Sequence, residues 1–323
     1  MLYGRPTRSP VTRITNIAGD SQSRPYSSFV AGEKEKMKRK TFFAFASPSI
    51  LVMLLLMVVP LLMALWLAMQ YMTFRNITAP EFVGLRNYIE ILDDPLFWRS
   101  FNFTALYIAI VVPSWVVIGF IIALFLDQVS GLVRGVYLSI FLLPFIIVPV
   151  IGTIMFKQLW EPSGLLTWIY QELTGTRFRV NETSVKTLII IFGIWYVTPF
   201  TIVVYFAGLQ TLPAEMIEAA SIDGASRLQK IRHIVIPYVS SLTVFILLFS
   251  IMDSYRVFDS VFVLSELNPQ FKADTVMTYT FLTAMQFQRL GKSNAMAILT
   301  VIGIMVVLVP FLYLMYKEQI AER

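Results

Sequence analysis

Long apolar blocks alternate with shorter polar connections along this chain. Six blocks, Phe42–Tyr71, Phe103–Leu126, Gly135–Trp160, Thr187–Leu209, Pro237–Leu264 and Ala295–Tyr316, each reach the roughly 20 residues that a helix needs to cross a hydrocarbon core of about 30 Å. The pattern therefore predicts an all-α polytopic membrane protein with six transmembrane helices. Pro48 and Pro60 inside the first block predict a kink or a late helix start there.

The composition agrees, with 57% hydrophobic and 14% charged residues and a mean hydropathy of +0.70. Residues 1–32 are rich in Arg, Ser, Pro and Thr and lack apolar periodicity, which reads as a mobile tail. The basic run "EKEKMKRK" (Glu33 to Lys40) follows, then the first block, which is too long for a cleaved signal peptide and reads as a retained anchor. We divide the chain into a basic tail, 1–40, and a membrane domain, 41–323. Six spans return both termini to one side, and the positive-inside rule makes that side cytoplasmic. The connections at 127–134 and 210–236 are then internal, and those at 72–102, 161–186 and 265–294 external. Of the 26 Lys and Arg residues, fifteen fall inside and ten outside or near the outer ends of spans, with Arg256 the remaining one. This bias accounts for the net charge of +6 without nucleic acid as a partner. With no cysteine and one histidine, His233, the chain has no disulfides, no thiolate chemistry and no His-based metal site.

Two motifs fail on inspection. "GKS" at Gly291–Ser293 would need a glycine where Gln286 stands to make a phosphate loop, and it falls in an external connection. The N-x-[ST] triplets at Asn76, Asn102 and Asn181 are short enough to arise by chance and decide nothing.

The internal connection carries "EAASIDGASRLQKIRHIVIP", Glu218 to Pro237. Its first arm has Pro213 near the start, acidic Glu215 and Glu218 early, and alanines within, so it reads as a short helix. Asp223-Gly224 is a turn signal. A second arm resumes helix with Leu228, Ile231, Ile234 and Val235 as an apolar face, and Pro237 breaks or kinks the return to the membrane. Such a module suits either a helix pair lying on lipid headgroups or a dock for a soluble partner.

This stretch resembles the EAA loop of ABC importer permeases, with Glu218, Ala219, Ala220, Gly224, Ile234 and Pro237 matching its pattern and Ile236 standing where leucine is usual. "GLRNYIEILDDPLFWRSFNFTALY", "GLQTLPAEMIEAASIDGAS" and "FDSVFVL" are similar to the maltose-type sugar importers of that family, and the resemblance runs over roughly residues 42–316. One departure is the stretch "SELNPQFKADT" in place of the Gly-Gly-Pro element that often follows "FDSVFVL". The resemblance implies a cytoplasmic EAA coupling loop at about 210–237, with Glu218 as a polar docking contact and Ala219, Ala220 and Gly224 permitting close approach. It further implies a second permease subunit, two ATPase subunits that use ATP and magnesium, an extracytoplasmic substrate-binding protein, and a bacterial inner-membrane location. No cofactor and no catalysis are expected of this chain itself.

Polar groups inside apolar spans mark the candidate substrate path, because charge in lipid is costly. "SIMDSYRVFDS" supplies Asp253, Tyr255, Arg256 and Asp259, with Asp253 and Arg256 three residues apart and able to pair on one helix face. "GIWYVTPFTIVVYF" supplies Trp195, Tyr196 and Tyr205, whose rings and hydroxyls suit a sugar. Tryptophan and tyrosine also belt membrane interfaces, Asp253 and Arg256 suit an internal ion pair, and Met277 and Met285 read as packing residues. Two rival functions use the same residues: an ion-coupled secondary transporter titrating Asp253 and Asp259, and a membrane-embedded enzyme acting on lipid through Asp253, Arg256 and Asp259. Neither accounts for the EAA spacing.

Overall fold

The computed structural model describes residues 39–321, so the tail expected over 1–40 lies outside the described residues as far as residue 38. The chain divides into two units, 1–59 and 60–323, and the first helix, α1 (Arg39–Ala68), runs across the division. A two-residue antiparallel ribbon follows, β1 (Gln70–Tyr71) against β2 (Glu81–Phe82). Helices then make up most of the described chain: α2 (Arg86–Leu92), α3 (Pro95–Asp127), α4 (Gly131–Ile146), α5 (Pro149–Leu159), α6 (Leu165–Thr174) and α7 (Glu182–Leu209). After them come α8 (Ala214–Ile222), α9 (Arg227–Tyr238), α10 (Ser240–Tyr255), α11 (Asp259–Ser265), α12 (Val276–Met285) and α13 (Leu290–Ala321).

Four helical stretches are long and apolar enough to cross a membrane unbroken: Phe45–Ala68, Pro95–Asp127, Glu182–Leu209 and Leu290–Tyr313. Two more spans arise if each of two bent pairs counts as one, giving six. The pair α4–α5 turns through 98° and the pair α9–α10 through 64°. The third predicted span is thus broken rather than straight. Pro149 disfavours helical backbone in the residue before it, and Val148 is extended at ψ 130°, with Ile147 at ψ 136°. The fifth predicted span is corrected too. It bends at Val239 and stops at Tyr255, and α11 begins only at Asp259. Pro48 and Pro60, expected to kink or delay the first helix, leave α1 continuous.

Several helices start earlier than hydropathy predicts because polar residues cap them. Asp94 accepts from the Leu96 N–H at 3.0 Å, and Asn181 and Ser184 cap each other's backbone at the start of α7. In the predicted loop module, Pro213 caps α8, and Gly224 turns the chain with φ +77°. The second arm contains a π-helical turn at Ile231–Val235. A proline ring at 237 crowds the carbonyl four residues earlier, at His233, and the wider turn relieves that crowding.

The core is built on α3 against α7. Trp115, fully buried, donates its indole N–H to the Gly193 carbonyl at 2.9 Å, and Thr201 returns a bond to the Trp115 carbonyl at 3.0 Å. Gly119 faces Thr201 and Gly193 faces the Tyr107 ring so closely that neither position has room for a Cβ. At one end of this pair, Gln210 donates to Asp127 at 2.7 Å and Arg134 reaches Gln210 at 3.3 Å, which places the α8–α9 module at that end.

The opposite end is closed by ion pairs. Lys292 of α13 meets Asp94 at 2.7 Å, Tyr279 of α12 donates to the same carboxylate at 2.7 Å, and Arg289 meets Glu90 at 2.6 Å. Arg99 pairs with Asp274 at 3.2 Å, and Lys157 pairs with Glu266. Burial by itself would raise the Asp94 carboxyl, but the bonds from Lys292, Tyr279 and the Leu96 N–H together hold it below the usual carboxylate value. Burial pushes the Asp274 carboxyl up despite Arg99.

Two measurements test this packing. Gly119→Leu should lower the stability of the purified protein by about 1–3 kcal/mol in a detergent melt, whereas Gly135→Leu, with nothing within 4 Å of its Cβ, should leave the midpoint unchanged. Because Asp94 titrates lower when folded than unfolded, its stabilisation is complete above the unfolded value and lost as pH falls through the folded one. A melt series from about pH 5 to about pH 3 should show an acid loss that is smaller in Asp94→Asn.

Candidate functional site: a cavity between two helix breaks

One cavity of about 330 Å³ lies at the helix interruption Arg256–Phe258 and reaches Pro149, the residue that follows the interruption at Ile147–Val148. Its walls come from α3 (Tyr107, Trp115), α7 (Phe192, Gly193, Tyr196, Val197), the start of α5 (Pro149), and α12 (Met277). The Arg256–Phe258 break and its flanks contribute Asp253, Ser254, Arg256, Val257, Phe258, Asp259 and Ser260. One carbonyl at each break has a side-chain donor. Tyr196 donates to the Ile147 carbonyl at 3.1 Å, and Thr275 donates to the Val257 carbonyl at 3.0 Å. Unwound segments facing a cavity at membrane depth are where transporters place polar ligand contacts.

Of the predicted path residues, the structure gathers four here: Tyr196, Asp253, Arg256 and Asp259. Asp253, in the last turn of α10, and Arg256, directly after its end, form the ion pair their spacing allows. Their closest approach is 4.0 Å with both side chains about half exposed, so the pair is loose and contributes little to stability. Asp259 sits in the first turn of α11, where the helix dipole favours a negative charge.

The other three belong elsewhere. Trp195, one residue from Tyr196 and so turned about 100° away, lines a separate groove of about 430 Å³ with Ile147, Met155, Phe156 and Ile191. Tyr205 is buried, packs edge-on against Phe120 at 5.3 Å and donates to Thr243 at 3.0 Å. Tyr255 is buried with its hydroxyl against Gly303 of α13. Met277, read as a packing residue, lines the cavity, whereas Met285 is exposed.

Tyr107, Ser254 and Ser260 are cavity residues that the sequence reading missed. Tyr107 is the one hydroxyl-bearing side chain in "LYIAIVV", a signal that was available. Ser254 Oγ is buried and has no hydrogen-bond partner among the described residues. The wall thus offers carboxylates, a guanidinium and hydroxyls beside the rings of Phe192, Tyr196 and Phe258. Among the described residues, no three Asp, Glu or His side chains come close enough to hold a metal ion.

At the far end, α8 buries none of its residues. Glu218 and Ala219 are exposed and Ala220 is half-buried. The turn is closed by Ala225 N–H to the Ala220 carbonyl at 2.9 Å, and Lys230 of the second arm donates to Ser221 Oγ of the first at 2.6 Å. Gly224 has open space around it on this chain. The expected apolar face of the second arm is divided: Val235 is buried, Ile231 and Ile234 are half-buried, and Leu228 is exposed. Ile222 is 87% exposed at the tip, which leaves an apolar knob beside the turn. Pro237 is exposed, and the Tyr238 hydroxyl ties the exit to the Thr211 carbonyl at 2.7 Å.

Residues 115–317 match the family described as "Binding-protein-dependent transport system inner membrane component". The chain is 30% identical to the trehalose/maltose transport system permease protein MalF of Thermococcus litoralis over 78% of this chain and 86% of that protein. It is 27% identical to the arabinooligosaccharides transport system permease protein AraP of Bacillus subtilis over 84% and 87%. In fold it is similar to a chain of a bacterial ABC transporter involved in the import of the acidic polysaccharide alginate, with a TM-score of 0.75 at 20% identity over 88% of this chain and 98% of that one. The helical architecture, the broken spans and the match over most of the membrane domain agree: this chain belongs to the binding-protein-dependent transport system inner membrane component family, the permeases of ABC importers.

Proposed function

We propose that this permease carries a saccharide or saccharide derivative, that the cavity is its half of the translocation path, and that the α8–α9 module is the seat of an ATPase subunit. The observation that carries the coupling assignment is the module itself. Its turn residue Gly224 combines positive φ with open surroundings, while α8 has no buried residue and the tip exposes Ile222. A helix pair that packs so little against its own chain is built to pack against another. The saccharide assignment rests on the chemistry of the wall, where rings can stack on C–H faces and Asp253, Ser254 and Asp259 can meet hydroxyls. The similarity to the permeases named for trehalose/maltose and arabinooligosaccharides supports it.

On this reading the chain pairs with a second permease, receives cargo from an extracytoplasmic binding protein, and leaves ATP and magnesium to two ATPase subunits. The module faces the cytoplasm with both termini, and the ion-paired end faces outward. Closure of the ATPase subunits would shift Glu218, Ala219, Ala220, Ile234 and Pro237 together, switching the permease pair between inward- and outward-facing states.

Gly224 provides the decisive test. Asparagine tolerates positive φ, so Gly224→Asn costs the fold little, and its side chain meets nothing in this chain. Loss of ATPase co-purification in Gly224→Asn, with the melting midpoint retained, is the expected result. Retained co-purification and transport would overturn the coupling assignment, and uptake driven by an ion gradient without any ATPase would favour the secondary transporter.

The cavity is tested separately in the assembled complex with binding protein and a panel of saccharides. Ser254→Val and Asp259→Asn should each reduce saccharide-stimulated ATP hydrolysis by roughly tenfold, the value of a lost hydrogen bond of about 1.4 kcal/mol. Trp195→Phe, in the separate groove, should leave the stimulation unchanged.

A further inference from the structure

The segment between the first two spans carries an apolar stripe that the transport function does not use. Leu85, Ile89, Leu92 and Leu96 recur at spacings of four, three and four through α2 into α3, and they are 62%, 59%, 52% and 40% exposed. The opposite face of α2 is buried, with Ile91 in a core shared with Ala68, Phe97 and Met296. Asn87 on that face donates to the carbonyls of Ala68 and Gln70 at 2.8 and 2.9 Å. These bonds, with Arg289 on Glu90, hold α2 at the level where α1 ends and α13 begins. That level is the boundary between hydrocarbon and water.

We infer that α2 is an interfacial anchor whose exposed stripe lies in the phospholipid of the leaflet at this end of the protein. Three observations select lipid as the occupant. Past exposed Asp93 the stripe leads into the exposed side of the α3 span, which carries Phe101, Leu106 and Ile110 with one exposed polar residue, Asn102, among them. Two exposed tryptophans flank it, as in the aromatic belts of membrane proteins: Trp66 stacks on Phe82 at 5.7 Å, and Trp98 donates to the Leu92 carbonyl at 2.7 Å. The charged neighbours stand at its water side, where exposed Arg86 pairs with Glu90 at 3.0 Å and exposed Asp93 ends the helix. An amphipathic element of this kind gains its binding energy from buried apolar area, and its rigid attachment to α3 sets the depth of that span's end.

The absence of cysteine makes the test direct. Single-cysteine variants Leu85→Cys, Ile89→Cys and Asp93→Cys carry a nitroxide in the full complex, reconstituted in vesicles of phosphatidylcholine and phosphatidylglycerol. Collision with lipid-soluble oxygen is compared with collision with a water-soluble nickel chelate. The oxygen-to-nickel ratio at Leu85→Cys and Ile89→Cys should exceed that at Asp93→Cys several-fold. A ratio equal to that at Asp93→Cys would mean the stripe faces water, and low collision with both reagents would mean that a protein subunit covers it. Either result overturns the anchor. Leu92→Cys supplies a replacement position should either stripe variant fail to assemble.

Discussion

A backbone carbonyl freed from its helix inside hydrocarbon must find a donor within the protein, since leaving it bare costs several kcal/mol. This constraint governs the middle of the molecule. The α4–α5 break frees the Ile147 carbonyl and the α10–α11 break frees that of Val257, and Tyr196 and Thr275 supply the missing donors. Each break therefore depends on an element distant in sequence, and the cavity exists only while α7 and the segment entering α12 are packed in place. Tyr196 illustrates the consequence. Its ring lines the cavity, but its hydroxyl hydrogen is already committed to the backbone, so it can offer cargo a face and an acceptor oxygen but no donor.

The same constraint explains which features were legible beforehand. Hydropathy located the apolar blocks because the solvent is hydrocarbon, and the polar caps Asp94 and Asn181 account for the extra turns that hydropathy could not see. Breaks were harder to read. Pro149 interrupts a span while Pro48 and Pro60 do not, and at the Pro149 break Tyr196 serves a freed carbonyl. The break at Arg256–Phe258 has no proline at all.

Facing was illegible for a related reason. A helix that is apolar all round gives no periodic signal, so Trp195 and Tyr196 looked equivalent although a single residue step turns them to different cavities. Tyr205 and Tyr255 were drawn to the site by their hydroxyls, yet Tyr205 donates to Thr243 and Tyr255 packs against Gly303. The charged positions Asp253, Arg256 and Asp259 line one cavity, because ionised groups in a span have few other places to go.

The geometry of α10 joins the two ends of the proposed mechanism. Its 16 residues span about 24 Å, from the bend at Val239 to the break after Tyr255. Below the bend lies the α8–α9 module; at the break stand Asp253, Ser254 and Arg256. A helix of this length transmits a tilt applied at one end to the other, provided that it pivots about a fixed point. In the proposed mechanism, Tyr205 bonded to Thr243 would supply such a point near the module end, and a small displacement there would become a larger one at the cavity. The loose 4.0 Å approach of Asp253 to Arg256 fits that arrangement, because a tight internal pair would resist the change in wall geometry that transport requires. The rigid tie lies near the lever's short arm, and the loose contacts lie at its long one.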